Sequence, residues 1–268
     1  MSWLQTLYRQ RLERAMAGRS LTDLSKSAIV FAPHPDDETL GCGGTIIQKK
    51  ASGAVIKLVF MTDGSRSHAS WIAPDRLSKI RQQEALAAAH TLGIQASEVT
   101  FFNFNDGQLD QHRKAATHQV RQFLQTNPVD EVFVPYHQEP PADHAATYLA
   151  VKNAIAHLPS PPKIYAYPIW YWEHWPWMAP AGRGKKDQLR QLWATITSGL
   201  GTQIFKDFQH SVCIESVIVQ KKAALSQHAS QMKKPAGHPE WPTLGEVSQG
   251  DFLACFFQNY EIFHSPSR

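Results

Sequence analysis

Short apolar runs alternate with longer stretches of helical spacing over the first 167 residues. Five buried strands are predicted by the apolar runs at residues 27–32, 54–61, 98–102, 131–135 and 163–167. Helices are predicted for the stretches between them, at residues 39–50, 75–91, 111–125 and 143–157. Strands that alternate with helices in this way are typical of an α/β fold with a mainly parallel sheet.

The connections between these strands limit their order in the sheet. Right-handed crossovers make 3-2-1-4-5 the simplest order, which is a doubly wound, Rossmann-like sheet in a three-layer α/β/α arrangement. In that order the carboxyl ends of the first and fourth strands lie side by side, at the point where the winding reverses. We therefore expect a ligand to bind in the crevice at that point.

Residues 1–20 predict an amphipathic helix, because Trp3, Leu7, Leu12 and Met16 recur at helical spacing with arginines between them. The stretch lacks the continuous apolar region of a signal peptide, so we do not expect it to be one. We expect the helix to pack on its own domain. A basic amphipathic helix of this kind can also lie on a membrane surface.

The later part of the chain shows weaker patterns. Residues 170–208 are predicted to form an irregular, tryptophan-rich insertion, residues 216–231 look helical, and residues 252–263 are expected to supply one or two late strands. Since 43% of the 268 residues are hydrophobic and structural patterns recur from end to end, we expect residues 1–268 to form a single domain with one core.

Composition narrows the functional classes. Lysine and arginine number 27 against 23 aspartates and glutamates, a net charge of +4, and these charges are scattered rather than gathered into a basic run. This argues against a nucleic-acid-binding protein and favours small, acidic molecules as partners. No stretch approaches the roughly 18 continuous apolar residues of a membrane span. The three widely spaced cysteines suit reduced thiols and a cytoplasmic location, and oligomerisation remains open.

A cluster of ionisable groups directly follows the first predicted strand. The sequence Pro-His-Pro-Asp-Asp-Glu at residues 33–38 places one imidazole and three carboxylates at the expected crevice. Such groups repel and desolvate one another unless a cation or hydrogen bonds compensate them. Asp143 and His144 follow the fourth strand, with Asp143 expected as the N-cap of the next helix and His144 pointing into the same crevice. A divalent metal is the simplest compensation.

Two histidines and one carboxylate with open positions suit catalytic zinc, whereas a structural zinc site normally uses four protein ligands. A neighbouring carboxylate that is not a ligand can take a proton from the attacking water, and Asp36 beside Asp37 supplies one. Acidic residues also cap helices, but capping requires neither His34 nor His144. The nearby glycines match only half of a dinucleotide-binding fingerprint.

The segment His34-Pro35-Asp36-Asp37-Glu38, the glycines at 41, 43 and 44, and the distant Asp143-His144 together resemble the LmbE-like, or PIG-L-type, N-deacetylases. Further matches spread the resemblance over nearly the whole chain: Arg81, Glu84-Ala85, Leu92-Gly93, Asp106-Gly107, Lys222, Ala224-Leu225, His228, Ser230-Gln231, Glu261 and Phe263.

This resemblance implies that His34, Asp37 and His144 hold zinc, which iron could replace in the cell. It also implies that Asp36 is the general base. The implied reaction removes the N-acetyl group of an N-acetylglucosamine-type sugar or conjugate and releases acetate and a free amine.

The resemblance further suggests that Arg81 and Asp106 contact or organise the substrate, and that His228 lies near the reacting carbonyl or the metal. In the tryptophan-rich insertion, Trp172 could stack on a sugar ring. The alternative is that these tryptophans form a packed cluster or an oligomer contact.

One position departs from the family pattern. Many members carry a histidine three residues before the second histidine ligand, where it protonates the leaving amine, and here that residue is Pro141. Either Asp36 carries the proton in both directions, or His137 or His228 reaches in, or activity is reduced. Two other functions stay open: a metal- or sugar-binding protein without catalysis, and an amidase for a larger acyl group or a thiol conjugate.

Overall fold

Five parallel strands form the central sheet of the computed structural model, which describes residues 2–21, 23–179 and 185–266. The strands are β1 (Ala28–Ala32), β2 (Ile56–Thr62), β3 (Val99–Phe104), β4 (Glu131–Pro135) and β5 (Lys163–Tyr167). The helices of this half are α1 (Trp3–Ala17), α2 (Asp37–Ala51), α3 (Pro74–Thr91), α4 (Arg113–Thr126) and α5 (Ala142–Ile155). Each predicted strand and helix is therefore present, with boundaries that shift by at most a few residues.

The strand order is β3-β2-β1-β4-β5, which confirms the predicted 3-2-1-4-5 arrangement. Every pairing in this sheet is parallel, and Ala28 of β1 pairs with Ile56 on one side and with Glu131 on the other. All residues of β1 and β4 are buried, as expected of strands with helices on both faces. The carboxyl ends of β1 and β4 are consequently neighbours, where the crevice was predicted.

The last segment contains one of the one or two strands predicted for it, but its first part is helical. Of residues 252–263, only β7 (Tyr260–Phe263) is a strand, and it pairs antiparallel with β6 (His210–Cys213) in a separate two-stranded sheet. Helix α10 (Asp251–Phe256) occupies the preceding stretch. The reason is the spacing of its buried side chains, because Phe252, Cys255 and Phe256 recur at i, i+3 and i+4 and share one helical face.

The tryptophan-rich insertion is more regular than predicted. It contains a 3-10 turn at Trp170–Trp172 and the helices α6 (Lys185–Thr197) and α7 (Gln203–Asp207), while residues 180–184 lie outside the described part. The predicted helix at 216–231 is two helices, α8 (Ile218–Leu225) and α9 (Ala229–Met232), separated by a short break.

Helix α1 packs on the domain through Leu12 and Met16, in agreement with the packing interpretation. Tyr8 meets Trp177 edge to face at 5.7 Å, so the helix also contacts the insertion. Among the described residues, no helix is long and apolar enough to cross a membrane.

Helix α2 begins at Asp37, inside the ionisable cluster. A buried ion pair fixes the position of this helix. A Cβ atom at Gly41 would overlap the ring of Tyr167, so this glycine permits the close packing of α2 on the end of β5. The carboxylate of Glu261 accepts hydrogen bonds from the backbone N–H groups of Gly44 and Thr45, both at 2.7 Å. Lys221 pairs with the same carboxylate at 2.7 Å, and both side chains are almost fully buried.

Replacing Glu261 by alanine should lower the free energy of unfolding by about 3–5 kcal/mol, because it leaves the Lys221 ammonium buried without its counter-charge. Chemical denaturation measures this change. As a control, Lys26→Ala removes one partner of an ion pair whose two side chains are half exposed, at 51% and 52%, and should change stability by no more than about 1 kcal/mol. Equal effects of the two substitutions would contradict the assigned role of Glu261.

Candidate active site

The turn from β1 into α2 is conformationally strained. Asp36 has a φ of 124°, a region that side-chain-bearing residues rarely adopt. Its N–H donates to the carboxylate of Glu38 at 3.0 Å, and its carbonyl accepts from Thr39 and Leu40 at 3.0 and 2.9 Å. These bonds hold the sharp turn that presents the carboxylates of Asp36 and Asp37 at the end of β1.

The three predicted metal ligands converge beside this turn. The Oδ2 atom of Asp37 lies 3.3 Å from Nδ1 of His34 and 3.4 Å from Nε2 of His144. One potential ligand atom from each of the three residues lies within 4.8 Å of the others. The structure thus brings together side chains that the sequence separates by more than 100 positions.

A metal ion would satisfy the unusual surroundings of His144. The side chain is fully buried, yet neither of its ring nitrogens has a hydrogen-bond partner among the described residues. Buried polar atoms without partners are rare in folded proteins, and those that occur often mark a missing ion or ligand. Two imidazoles and one carboxylate form a donor set that fits a divalent metal with open coordination positions.

The second ring nitrogen of His34 is held by two carboxylates. Its Nε2 atom lies 3.2 Å from both Asp106 Oδ1 and Asp143 Oδ2. Burial lowers the pKa of His34, but the hydrogen bonds to Asp106, Asp143 and Asp37 outweigh it and raise that pKa well above its ordinary value. The three carboxylates around His34 therefore favour a positive charge at this position. A protonated imidazole or a bound metal ion would supply it.

Asp143 does not cap α5 as predicted. The N-cap position is Pro141, and the carboxylate of Asp143 instead accepts hydrogen bonds from the N–H groups of Gly107 at 2.6 Å and Leu109 at 3.0 Å. These two residues follow β3, so Asp143 connects the loops after β3 and β4 while it orients His34. His34, Asp106 and Asp143 also form a second set of groups close enough to share an ion. The backbone bonds to Asp143 favour the orienting role.

Asp36 is a buried carboxylate with the properties of a proton-transfer group. Burial and the neighbouring carboxylate of Asp37 raise the pKa of Asp36 to about 8. Its Oδ2 atom accepts a hydrogen bond from the side-chain amide of Gln231 on α9, and both residues line the same cavity. A carboxylate whose pKa lies near neutrality can both accept and release a proton there.

His228 contacts Glu38, the residue that in turn holds the backbone of Asp36. It is fully buried in the break between α8 and α9, and its Nε2 atom is 3.2 Å from Glu38 Oε1. It is not among the residues that line the cavity, and its predicted place near the reacting carbonyl or the metal stays a prediction. His228 supports Glu38, whose carboxylate in turn holds the N–H of Asp36.

The ionisable groups open into a cavity of about 380 Å³. Arg81 and Asp106 line it, as predicted for substrate-binding residues, and their roles stay predictions. Arg81 donates to the hydroxyl of Ser67 at 2.7 Å, whereas its Nε atom has no partner among the described residues. Burial opposes ionisation of Asp106, but the hydrogen bond from His34 lowers its pKa to about 2.

Sequence reasoning missed His68, which also lines this cavity. Its Nδ1 atom lies 2.7 Å from the hydroxyl of Ser67, its Nε2 atom lies 3.0 Å from the carbonyl of Pro242, and its ring stacks on Trp241 at 4.3 Å. The residues around it form no recognisable motif, and two of its partners, Trp241 and Pro242, are distant in the chain. Nothing in the sequence pattern therefore pointed to it.

Two further expectations do not fit the observed positions. Trp172 is buried against Trp177 at 5.2 Å and does not line the cavity, so the packed-cluster interpretation describes it better than sugar stacking. Trp170, two residues earlier, does line the cavity. His137 packs between Tyr148 and another histidine and is also absent from the cavity lining.

Comparison with known proteins confirms the resemblance seen in the sequence. Residues 29–155 match the protein family described as PIG-L: GlcNAc-PI de-N-acetylase. The matched stretch contains the strained turn and all three predicted metal ligands.

A diacetylchitobiose deacetylase from Thermococcus kodakarensis is 26% identical over 140 residues, which cover 50% of this chain and 52% of that relative. The chain thus aligns with about half the length of this curated relative. The solved N,N'-diacetylchitobiose deacetylase from Pyrococcus horikoshii has a TM-score of 0.64 at 20% identity and covers 99% of this chain and 93% of that one.

A 4-carboxy-2-hydroxymuconate hydratase from Pseudomonas putida KT2440 shares the fold as well. Its TM-score is 0.61 at 16% identity, with 91% of this chain and 97% of that chain covered. The fold is therefore common to a deacetylase and a hydratase, so the function has to be argued from the site.

Replacing His144 by alanine should remove most of the divalent metal that the protein binds, because it deletes one of the three predicted ligands. Metal content after dialysis, measured by plasma mass spectrometry, checks this expectation. His118→Ala, which changes an exposed histidine on α4, should keep the parent metal content. Full metal occupancy in the His144 variant would place the ion elsewhere.

Proposed function

We propose that the protein is a zinc-dependent N-deacetylase acting on an N-acetylglucosamine-type sugar or its conjugate. The observation that carries this proposal is the convergence of His34, Asp37 and His144, whose potential ligand atoms lie within 4.8 Å of one another. The ring nitrogens of His144 make no hydrogen bond among the described residues, and the buried carboxylate of Asp36 precedes Asp37. The similarity to a diacetylchitobiose deacetylase supports an acetylated amino sugar as the substrate class.

The donor set suits zinc, and iron binds to the same types of ligand. When bound, the metal supplies a Lewis acid that polarises an amide carbonyl and lowers the pKa of a water molecule. Carboxylates on the side away from the metal would orient the two histidines. His34 is held by Asp106 and Asp143, and His144 lies 3.4 Å from the carboxylate of Glu139.

Asp36 is proposed to move the proton in both directions. It takes a proton from the attacking water, and it returns that proton to the nitrogen of the leaving amine. The raised pKa suits a group that must hold the proton between these steps, and the positive charge of a metal lowers this pKa toward that of a base. Asp36 itself lines the cavity, which supports this route at a site where Pro141 replaces the usual acid.

Arg81 and Asp106 are proposed to bind the polar groups of the sugar. The unpartnered Nε–H of Arg81 is a donor for a hydroxyl or carbonyl oxygen, and the carboxylate of Asp106 is an acceptor for a hydroxyl. A buried donor that is paired only in the complex discriminates strongly against analogues that lack the matching oxygen.

A cytoplasmic location remains our prediction, and the three free cysteines agree with it.

Chelation should abolish acetate release from at least one N-acetylated amino sugar, and added zinc should restore it. The assay uses a panel of N-acetylglucosamine, its glycosides and diacetylchitobiose, with acetate quantified enzymatically. Undiminished release from thoroughly metal-free protein would rule out the metal-dependent reaction. No release from any N-acylated sugar by the zinc-loaded protein would overturn the proposed function.

Asp36→Asn should retain the metal but lower kcat by about 10²–10⁴, because the amide cannot accept the proton while its shape still allows contact with Gln231. Asp110→Asn, at a side chain that is 57% exposed, is the matched control and should keep parent kinetics. If the Asp36 variant turned over at the parent rate, the assignment of the base would be wrong.

A further inference from the structure

The cavity that holds the ionisable groups has a second, apolar half. Leu40, Ile169, Trp170, Val247 and Phe252 contribute this apolar lining, which we call the apolar wall. Leu40, Ile169 and Phe252 are almost fully buried, whereas Trp170 and Val247 keep part of their surface exposed. The apolar wall therefore combines three buried side chains with two that are partly exposed.

This wall begins at the reaction centre. Leu40 lies in the first turn of α2, four residues after Asp36, and both side chains line the cavity. At the other end, the ring of Trp170 stacks on that of Phe252 with 4.6 Å between centroids. A hydrocarbon substituent on the reacting carbonyl or on the sugar ring can therefore pack against these apolar side chains.

The wall is held firmly in place. The carboxylate of Glu139 accepts hydrogen bonds from the N–H groups of Ile169 at 2.8 Å and Trp170 at 2.7 Å. On the opposite side, Ser248 and Gln249 adopt positive φ values of 48° and 55° in the turn that separates Val247 from α10. Two adjacent non-glycine residues in this region indicate a turn imposed by its surroundings.

Most of the wall comes from a part of the chain outside the family match. Residues 29–155 supply the metal ligands and Asp36, whereas residues 169–170 and 242–252 supply the wall apart from Leu40. The reaction centre and the apolar surface are thus separate contributions to one cavity. Such a division is expected where shared chemistry is combined with a different substrate specificity.

An acetylated amino sugar by itself leaves this wall largely unused. Its only hydrocarbon group beyond the ring is one methyl, and its hydroxyls require polar partners. We infer that the natural substrate is an N-acylated amino sugar with a hydrocarbon group larger than that methyl, lying against the Trp170–Phe252 wall. This inference rests on the proposed function. The hydrocarbon is either a longer N-acyl chain or an apolar group attached to the sugar.

Two series of substrates test the inference and separate these sources. One series is N-acetyl-, N-butanoyl- and N-hexanoylglucosamine, and the other is the methyl, butyl and octyl glycosides of N-acetylglucosamine, all below micelle-forming concentrations. Each methylene that becomes buried should raise kcat/KM by up to about fourfold. A rise in the first series assigns the wall to the acyl chain, and a rise in the second assigns it to the aglycone. Values of kcat/KM that stay flat or fall in both series would overturn the inference.

A variant of the wall adds a second criterion. Val247→Asn should reduce the ratio of kcat/KM between the longest and the shortest substrate by several-fold, because it places an amide on the hydrocarbon path. Val219→Asn is the matched control, since Val219 is 82% exposed on α8 and does not line the cavity. The control should keep the parent ratio. An unchanged ratio in the Val247 variant would argue against this wall as the binding surface.

Binding measurements keep the inference independent of catalysis. Calorimetric titration of the metal-loaded protein with the methyl, butyl and octyl glycosides and the three N-acylglucosamines should show affinity that rises with chain length. If no amine is released from any substrate but affinity rises, the proposed function fails and the apolar site stands. If hydrolysis occurs with no dependence on chain length in rate or affinity, the function stands and the apolar site fails.

Discussion

The need to compensate buried charge at the end of β1 shapes this part of the molecule. Asp36, Asp37 and His144 are buried and His34 is partly buried at the point where the sheet changes its winding direction. Buried charges of this density destabilise a fold unless positive charge or hydrogen bonds offset them. The outer carboxylates around His34 and the unpartnered nitrogens of His144 are both consistent with one bound cation. The ion pair of Lys221 and Glu261 then holds α2, which begins at Asp37, against the rest of the protein.

Much of the fold followed from the hydrophobic pattern because the parallel sheet imposes a simple rule. Fully buried strands read as continuous apolar runs, and right-handed crossovers leave few ways to order five of them. The prediction for residues 252–256 was wrong because an apolar pattern alone does not distinguish a strand from a helix. Phe252, Cys255 and Phe256 are compatible with a buried strand or a buried helical face, and only tertiary packing decides between them.

The site was predictable only where ligands are encoded by a local motif. The segment around His34 and the pair Asp143-His144 stand next to strand ends, so their meeting follows from topology. The position of His68 depends on contacts with Ser67, Trp241 and Pro242, which no sequence periodicity reports. The choice between Trp170 and Trp172 likewise depends on the orientation of one 3-10 turn.

The most direct test of the metal centre is anomalous diffraction at the zinc edge from crystals of zinc-loaded protein. The account predicts one principal peak at about 2.0–2.2 Å from ligand atoms of His34, Asp37 and His144. A principal peak among His34, Asp106 and Asp143 instead, or no peak at this end of the sheet, would contradict it.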